Sequence, residues 1–165
     1  MNKKSLMIGL LTLSSAMSLP GCLSDFQSPA EKKAADAKKP LYERLGGEAG
    51  VKAVVADFVA RAAANEKVNF TRKGTGKEWP ATPENVAKLQ KHLVDLIGSL
   101  TGGPQKYTGR PLKGSHAGLK ISNYEFDWLI GALVDSLKKF KVAEKDSDEL
   151  VGIVASTRGD IVEVK

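Results

Sequence analysis

Thr82-Pro83-Glu84-Asn85-Val86-Ala87-Lys88-Leu89-Gln90-Lys91-His92-Leu93-Val94-Asp95-Leu96-Ile97-Gly98-Ser99-Leu100-Thr101-Gly102-Gly103-Pro104 reads as one helix with both ends marked. Thr82 offers a side-chain oxygen to the first free amides, Pro83 suits the first helical position, and Glu84 meets the positive end of the helix dipole. Val86, Leu89, Leu93, Leu96, Ile97 and Leu100 recur at helical spacing until Gly102-Gly103-Pro104 breaks the pattern. His92 stands three residues after Leu89 and four before Leu96, on neighbouring positions of one face, so it flanks the apolar stripe.

The flanking sequence follows the same rule. Upstream, Pro40 opens a short helix that Gly46-Gly47 ends. From Glu48, the positions Val51, Val54, Val55, Phe58, Val59 and Ala62 form one buried helical stripe. Residues 65–81 are irregular, rich in Gly, Lys and Thr, and contain Phe70 and Trp79. Downstream, Ser122 with Glu125 three residues on is a capping box, which launches Phe126, Leu129, Ile130, Leu133, Val134, Leu137 and Phe140. A last helix is expected over residues 146–157, with Leu150, Val151 and Val154 inward. No strand pair or repeat is evident, so the fold class is all-α with about four substantial helices.

The first residues have another logic. Lys3 and Lys4 precede a mostly apolar run from Ser5 to Leu19, too short for a transmembrane helix, and then Leu19-Pro20-Gly21-Cys22. That is the layout of a secretory signal over residues 1–21, and its terminal cysteine resembles the lipobox of bacterial lipoproteins. Residues 22–39, polar after the cysteine, read as a lipidated Cys22 and a flexible tether. Residues 40–165 then form a single domain. The expectation is an exported protein, lipid-anchored on the periplasmic side. Because Leu23 and Ser24 follow the cysteine with no Asp in second place, the outer membrane is favoured.

Cys22 is the only cysteine, so no disulfide framework supports the fold and no Cys-x-x-Cys-His run attaches a haem covalently. The full chain carries 25 Lys and Arg against 19 Asp and Glu; loss of Lys3 and Lys4 with the leader leaves 23 against 19, a net +4. The basic residues are scattered among acids. Nucleic acid is therefore not expected as a partner, and a mild attraction to anionic lipid is the simpler consequence.

The chain has two histidines, and they fall on different segments. His92 is on the long helix. His116 follows Arg110-Pro111-Leu112-Lys113 and precedes Gly118, so at most a short helix carries it. Imidazole is the usual axial ligand of haem iron, which makes the pair candidate metal ligands. Read singly, His92 also suits a half-wet boundary position, and His116 also suits a cap or a bond to a carbonyl.

Several quoted runs together resemble the group 1 truncated haemoglobins. They are Leu41-Tyr42-Glu43-Arg44-Leu45-Gly46-Gly47, Val55-x-Asp57-Phe58, Thr101-Gly102-Gly103-Pro104-Gln105-Lys106-Tyr107-Thr108-Gly109-Arg110, Leu112-Lys113-x-x-His116 and Ile121-x-x-x-x-Phe126-Asp127. The resemblance covers roughly Leu41 to Val164. It implies a two-over-two helical sandwich binding non-covalent haem b, with His116 as the proximal iron ligand. It implies cofactor contacts from Phe58, Val59, Phe70, Leu89, Leu93, Tyr107, Ile121 and Phe126, and propionate pairing by Arg110 and Lys113. His92 falls where some relatives place a histidine that coordinates the iron, which makes it a second, distal candidate. The loop from Thr71 to Ala81 departs from the shorter family pattern. Many relatives carry tyrosine at position 59 and glutamine at 89 or 93, whereas this chain has Val59, Leu89 and Leu93. The usual hydrogen-bond donors to a bound ligand are missing.

The function expected is reversible binding of oxygen or another diatomic ligand such as nitric oxide. Nitric oxide dioxygenase or peroxidase-like activity would be a side reaction, and a redox partner is unidentified. The competing expectation is a haem-free, lipid-anchored helical module that docks a partner protein through Lys138-Lys139-Phe140-Lys141. Two short motifs carry no function. Arg158-Gly159-Asp160 reads as a helix end. Asp146-x-Asp148-Glu149 lacks the glycine and spacing of a calcium loop and reads as the acidic start of the last helix.

Overall fold

The structure, a computed structural model, describes residues 34–164. The readings of the leader, of Cys22 and of most of the tether fall outside the described residues. Seven helices follow from Pro40 onward: α1 (Leu41–Arg44), α2 (Gly47–Ala64), α3 (Pro83–Leu100), α4 (Leu112–His116), α5 (Asn123–Lys139), α6 (Glu144–Ala155) and α7 (Arg158–Ile161). Helix α2 packs against α3 and α5, and α6 closes on α5 and α1. The result is two helix pairs, α2/α3 and α5/α6, laid one over the other. Among the described residues the only β pairing is a single parallel bridge between Ser122 and Val164. None of these helices is long and apolar enough to cross a membrane.

The local signals act as their chemistry requires. Thr82 Oγ1 accepts the Asn85 amide at 3.3 Å at the start of α3. At the start of α5, Ser122 Oγ accepts the Glu125 amide at 3.2 Å while Glu125 Oε2 accepts the Ser122 amide at 3.0 Å, a complete capping box. Gly46, at φ +89°, makes the left-handed turn from α1 into α2. Two boundaries differ from the sequence expectation. Helix α6 begins and ends two residues earlier than 146–157, and the chain then winds a separate short helix, α7. That helix contains Arg158-Gly159-Asp160, and Arg158 is spent internally. Its guanidinium bonds Asn123 Oδ1 at 3.0 Å, pairs with Asp127, and lies 4.4 Å above the Phe126 ring.

The core is built from Leu41, Tyr42 and Leu45 of the first turn, Val51, Val54, Val55 and Val59 of α2, Val94 and Ile97 of α3, Leu133 and Leu137 of α5, and Leu150 of α6. The stripe of α3 is only partly covered by this core. Val94 and Ile97 are buried, Leu100 is exposed, and Val86, Leu89, Leu93 and Leu96 remain half-buried. On α5 the pattern repeats: Phe126, Leu133 and Leu137 are buried, Leu129, Ile130 and Val134 are half-buried, and Phe140 is exposed. Apolar helix faces of this kind call for a further apolar partner, because about 25 cal/mol is gained per Å² withdrawn from water.

The acidic run is also explained by packing. Asp146 and Glu149 both pair with the Arg44 guanidinium, Glu149 at 2.5 Å, and so fasten α1 to α6. Arg44 is driven further toward its charged form, first by its hydrogen bond to Glu149.

Candidate functional site

His116 is the last residue of α4, a helix started by Pro111 and followed by Gly118 at φ +79°. Its Nδ1 lies 2.7 Å from the Leu112 carbonyl oxygen, one helical turn back. A carbonyl can only accept, so Nδ1 carries the proton and donates it. In the neutral ring this leaves Nε2 with an unshared pair. A metal-bound histidine has this same arrangement, in which the second nitrogen is bonded to a carbonyl and thereby fixes tautomer and ring orientation. His116 itself is half-buried.

The other sequence candidates divide by environment. Val59 is almost fully buried at 2% exposure, and Ile121 and Phe126 are buried as well. Phe58, Phe70, Leu89 and Leu93 are half-buried and packed against the core. Tyr107 is half-buried and donates its hydroxyl to the Arg110 carbonyl at 2.8 Å, while the Arg110 and Lys113 side chains are exposed. His92 is exposed on α3, with its ring edge-on to Tyr107. Val59, Leu89 and Leu93 therefore supply apolar walls and no donors. Among the described residues no three His, Cys, Asp or Glu side chains converge as a bare-metal site. A metal on His116 then needs its remaining donors from a macrocycle. With one metal-ready imidazole and half-covered apolar stripes, the residues present fit a haem. A groove of about 550 Å³ between α2 and α3, lined by Glu48, Lys52, Ala56, Lys91 and Val94 among others, contains none of the candidates.

Three contributors escape a reading by spacing. Trp79 stands edge-on to Phe70, ring centroids 5.3 Å apart, and so stiffens an aromatic candidate within an otherwise irregular loop. An isolated tryptophan in a Gly- and Lys-rich stretch was the available signal. Arg72 is buried, at 7% exposure, and its Nη2 pairs with Glu125 Oε1 at 2.6 Å. Burial pushes the Glu125 carboxyl up, but Arg72 and the Ser122 and Asn69 amides outweigh it and hold the group below the usual carboxylate range. The third is Asp57, whose carboxylate accepts from Arg61 Nε at 2.6 Å and Ser136 Oγ at 2.9 Å and pairs with Lys139. It ties α2 to α5. Arg61 first, then Lys139, hold it far below the usual carboxylate range.

An all-helical sandwich of two pairs is the architecture of the small globins. Comparison with known proteins makes the class specific. The bacterial-like globin family matches residues 40–163, and the chain belongs to that family. It is 30% identical over 122 residues to the group 1 truncated haemoglobin of Tetrahymena pyriformis, spanning 74% of this chain and 93% of that protein. The crystal structure of the Tetrahymena pyriformis protein in its Fe(III) form superimposes with a TM-score of 0.65, over 75% of this chain and 98% of that one. The 2/2 haemoglobin of a Synechococcus species, crystallised in the cyanomet state with covalently attached haem, is 29% identical over 75% of this chain and 98% of its own, with a TM-score of 0.63.

Proposed function

We propose that this chain holds haem b non-covalently through His116 Nε2 and reversibly binds oxygen, nitric oxide or another small diatomic ligand. When bound, haem supplies an iron whose sixth position takes the ligand. The bond from His116 Nδ1 to the Leu112 carbonyl carries this reading, because it leaves the right nitrogen free and the ring oriented. Phe58, Phe70, Leu89, Leu93, Ile121 and Phe126 form the apolar surroundings that exclude water. Tyr107, Arg110 and Lys113 stand at the polar margin suited to the propionates. Val59, Leu89 and Leu93 donate nothing to a ligand, so release is fast unless another group intervenes.

His92 is that group. It flanks the apolar stripe of α3 beside Leu89 and Leu96 and, on leaving Tyr107, would serve as a reversible internal ligand of the iron. An edge-on ring pair is worth only about 0.5–1.5 kcal/mol, a small barrier to that exchange.

The whole chain expressed with haem supply tests the reading. A bound-haem visible spectrum in the wild type and its loss in His116→Ala is the expected result. A wild type without bound haem overturns it and restores the haem-free docking module. That module is disfavoured because family membership spans the whole domain. Its best residue, Lys139, is also already engaged with Asp57 and lies 5.6 Å from the Phe140 ring.

The leader sequence supports a lipid anchor at Cys22, with the domain held by residues 22–39 on the periplasmic side of the outer membrane. Mass spectrometry of the mature N-terminus checks this. A lipid-modified Cys22 at the new N-terminus is expected, and an unmodified N-terminus rules it out.

A further inference from the structure

The loop between α2 and α3 does more than connect them. Residues 71–81 cross to the segment immediately after His116. Lys77 Nζ donates to the Ala117 carbonyl at 2.6 Å, and its aliphatic stem lies so close to Gly118 that a Cβ there would sit 2.9 Å from Lys77 Cε. Arg72 Nη1 donates to the Leu119 carbonyl at 3.4 Å while its Nη2 is held by Glu125. From the opposite side comes Glu163, beyond α7. Its two carboxylate oxygens accept the Gly118 amide at 2.6 Å and the Lys120 amide at 2.7 Å.

The contacts alternate along the backbone. The carbonyls of residues 117 and 119 face cations from the loop, and the amides of 118 and 120 face one anion from the C-terminal segment. A four-residue turn at the end of a five-residue helix has few hydrogen bonds of its own to fix it. The Ala117 and Leu119 amides bond within the segment, and four further backbone groups, the carbonyls of 117 and 119 and the amides of 118 and 120, have partners 40 to 47 residues away. The Gly118 amide first, then that of Lys120, hold the Glu163 carboxyl below the usual range, and Lys77 adds to this, as a charged clamp requires.

We infer that residues 71–81 form a strap that positions His116, with Lys77 as its tip and Glu163 as its counterpart. Within the strap, Trp79 stands edge-on to Phe70, while Lys77 braces the imidazole-bearing segment. It therefore steadies the turn that follows His116, adding to the orientation that the Leu112 bond gives the ring, and so slows loss of the cofactor. This rests on the reading that His116 holds haem. Lys77 and Glu163 are positioning residues, since neither touches the imidazole.

Lys77 is exposed, so its replacement leaves the fold standing. The test uses the whole chain loaded with haem, with Lys77→Met, Lys77→Arg and Glu163→Ala. Two quantities are read: the rate of haem transfer to an excess of a high-affinity acceptor protein, and the iron–imidazole stretching band of the ferrous form. The band is recorded in a His92→Ala background, where the sixth position is open. Lys77→Met and Glu163→Ala are expected to lose haem roughly 2- to 10-fold faster, the equivalent of one hydrogen bond, and to shift the band. Lys77→Arg, which keeps the donor, restores both. If Lys77→Met and Glu163→Ala keep the wild-type rate and band, the strap is ordinary loop packing and the inference falls while His116 remains the ligand. If His116→Ala retains both haem and band, the ligand assignment fails, and with it the strap's purpose.

Discussion

The ring of His92 stands edge-on to that of Tyr107, with centroids 6.3 Å apart and planes at 76°. The contact joins the long helix α3 to the extended stretch that leads into α4 and His116. It leaves the His92 imidazole exposed.

Removing that imidazole exposes its role. His92→Ala is expected to convert a low-spin, six-coordinate ferric spectrum into a five-coordinate or water-ligated one. Absorption spectra of the two proteins decide this. A wild type that is already five-coordinate, with bands unaltered in His92→Ala, assigns the sixth position to external ligands alone.

The apolar distal wall makes a kinetic prediction. With Val59, Leu89 and Leu93 unable to donate, a donor placed at 89 should retain bound oxygen. Leu89→Gln, combined with His92→Ala to open the site, is expected to slow oxygen dissociation by roughly 10-fold, the value of one hydrogen bond of about 1.4 kcal/mol. Flash photolysis or stopped-flow measurement reads it directly. An unchanged rate would place residue 89 away from the ligand.

Asp57 links folding to acid. Its folded pKa is depressed by Arg61, Lys139 and Ser136, so it contributes stability that is complete above the unfolded carboxylate pKa of about 4. That stability is lost as pH falls below this value toward the folded pKa. Asp57→Ala is expected to cost about 1–3 kcal/mol near neutrality, since Ser136 Oγ, fully buried, loses one partner. The difference from wild type should shrink in denaturant titrations run progressively below pH 4. A deficit that stays constant down to pH 2 would mean the carboxylate charge is not its source.

Two helical glycines should respond with opposite signs. A Cβ at Gly50 would lie 1.9 Å from the Leu45 carbonyl oxygen, which cannot move without opening the α1–α2 turn, so Gly50→Ala is expected to be strongly destabilising. A Cβ at Gly152 meets nothing within 4 Å in the middle of α6, and Gly152→Ala is expected to stabilise by about 0.5–1 kcal/mol. Thermal melts of the pair decide it. Equal shifts of the same sign would contradict the packing at Gly50.

The sequence by itself determined where α3 and α5 begin and where α3 ends. Thr82, Pro83, the Ser122–Glu125 box and the Gly102-Gly103 break act on groups within a turn of themselves, so their effect is legible in spacing alone. The runs shared with the truncated haemoglobins were legible as well, and they brought His116 forward as the candidate ligand. Tertiary structure decided what lies between elements. Glu125 is a cap in the sequence, but only packing makes it the anchor of the buried Arg72, 53 residues away. Asp57 reads as one polar position on an amphipathic helix, and only the approach of α5, 79 residues on, turns it into the partner of Ser136. Lys77 looks like one solvated lysine among many until the loop folds across to Ala117. Such pairings depend on which surfaces the chain brings together, and no local pattern encodes the distance between them. Covering a helix stripe is likewise a property of the whole fold, which is why the half-buried faces of α3 and α5 appeared only once the helices were packed.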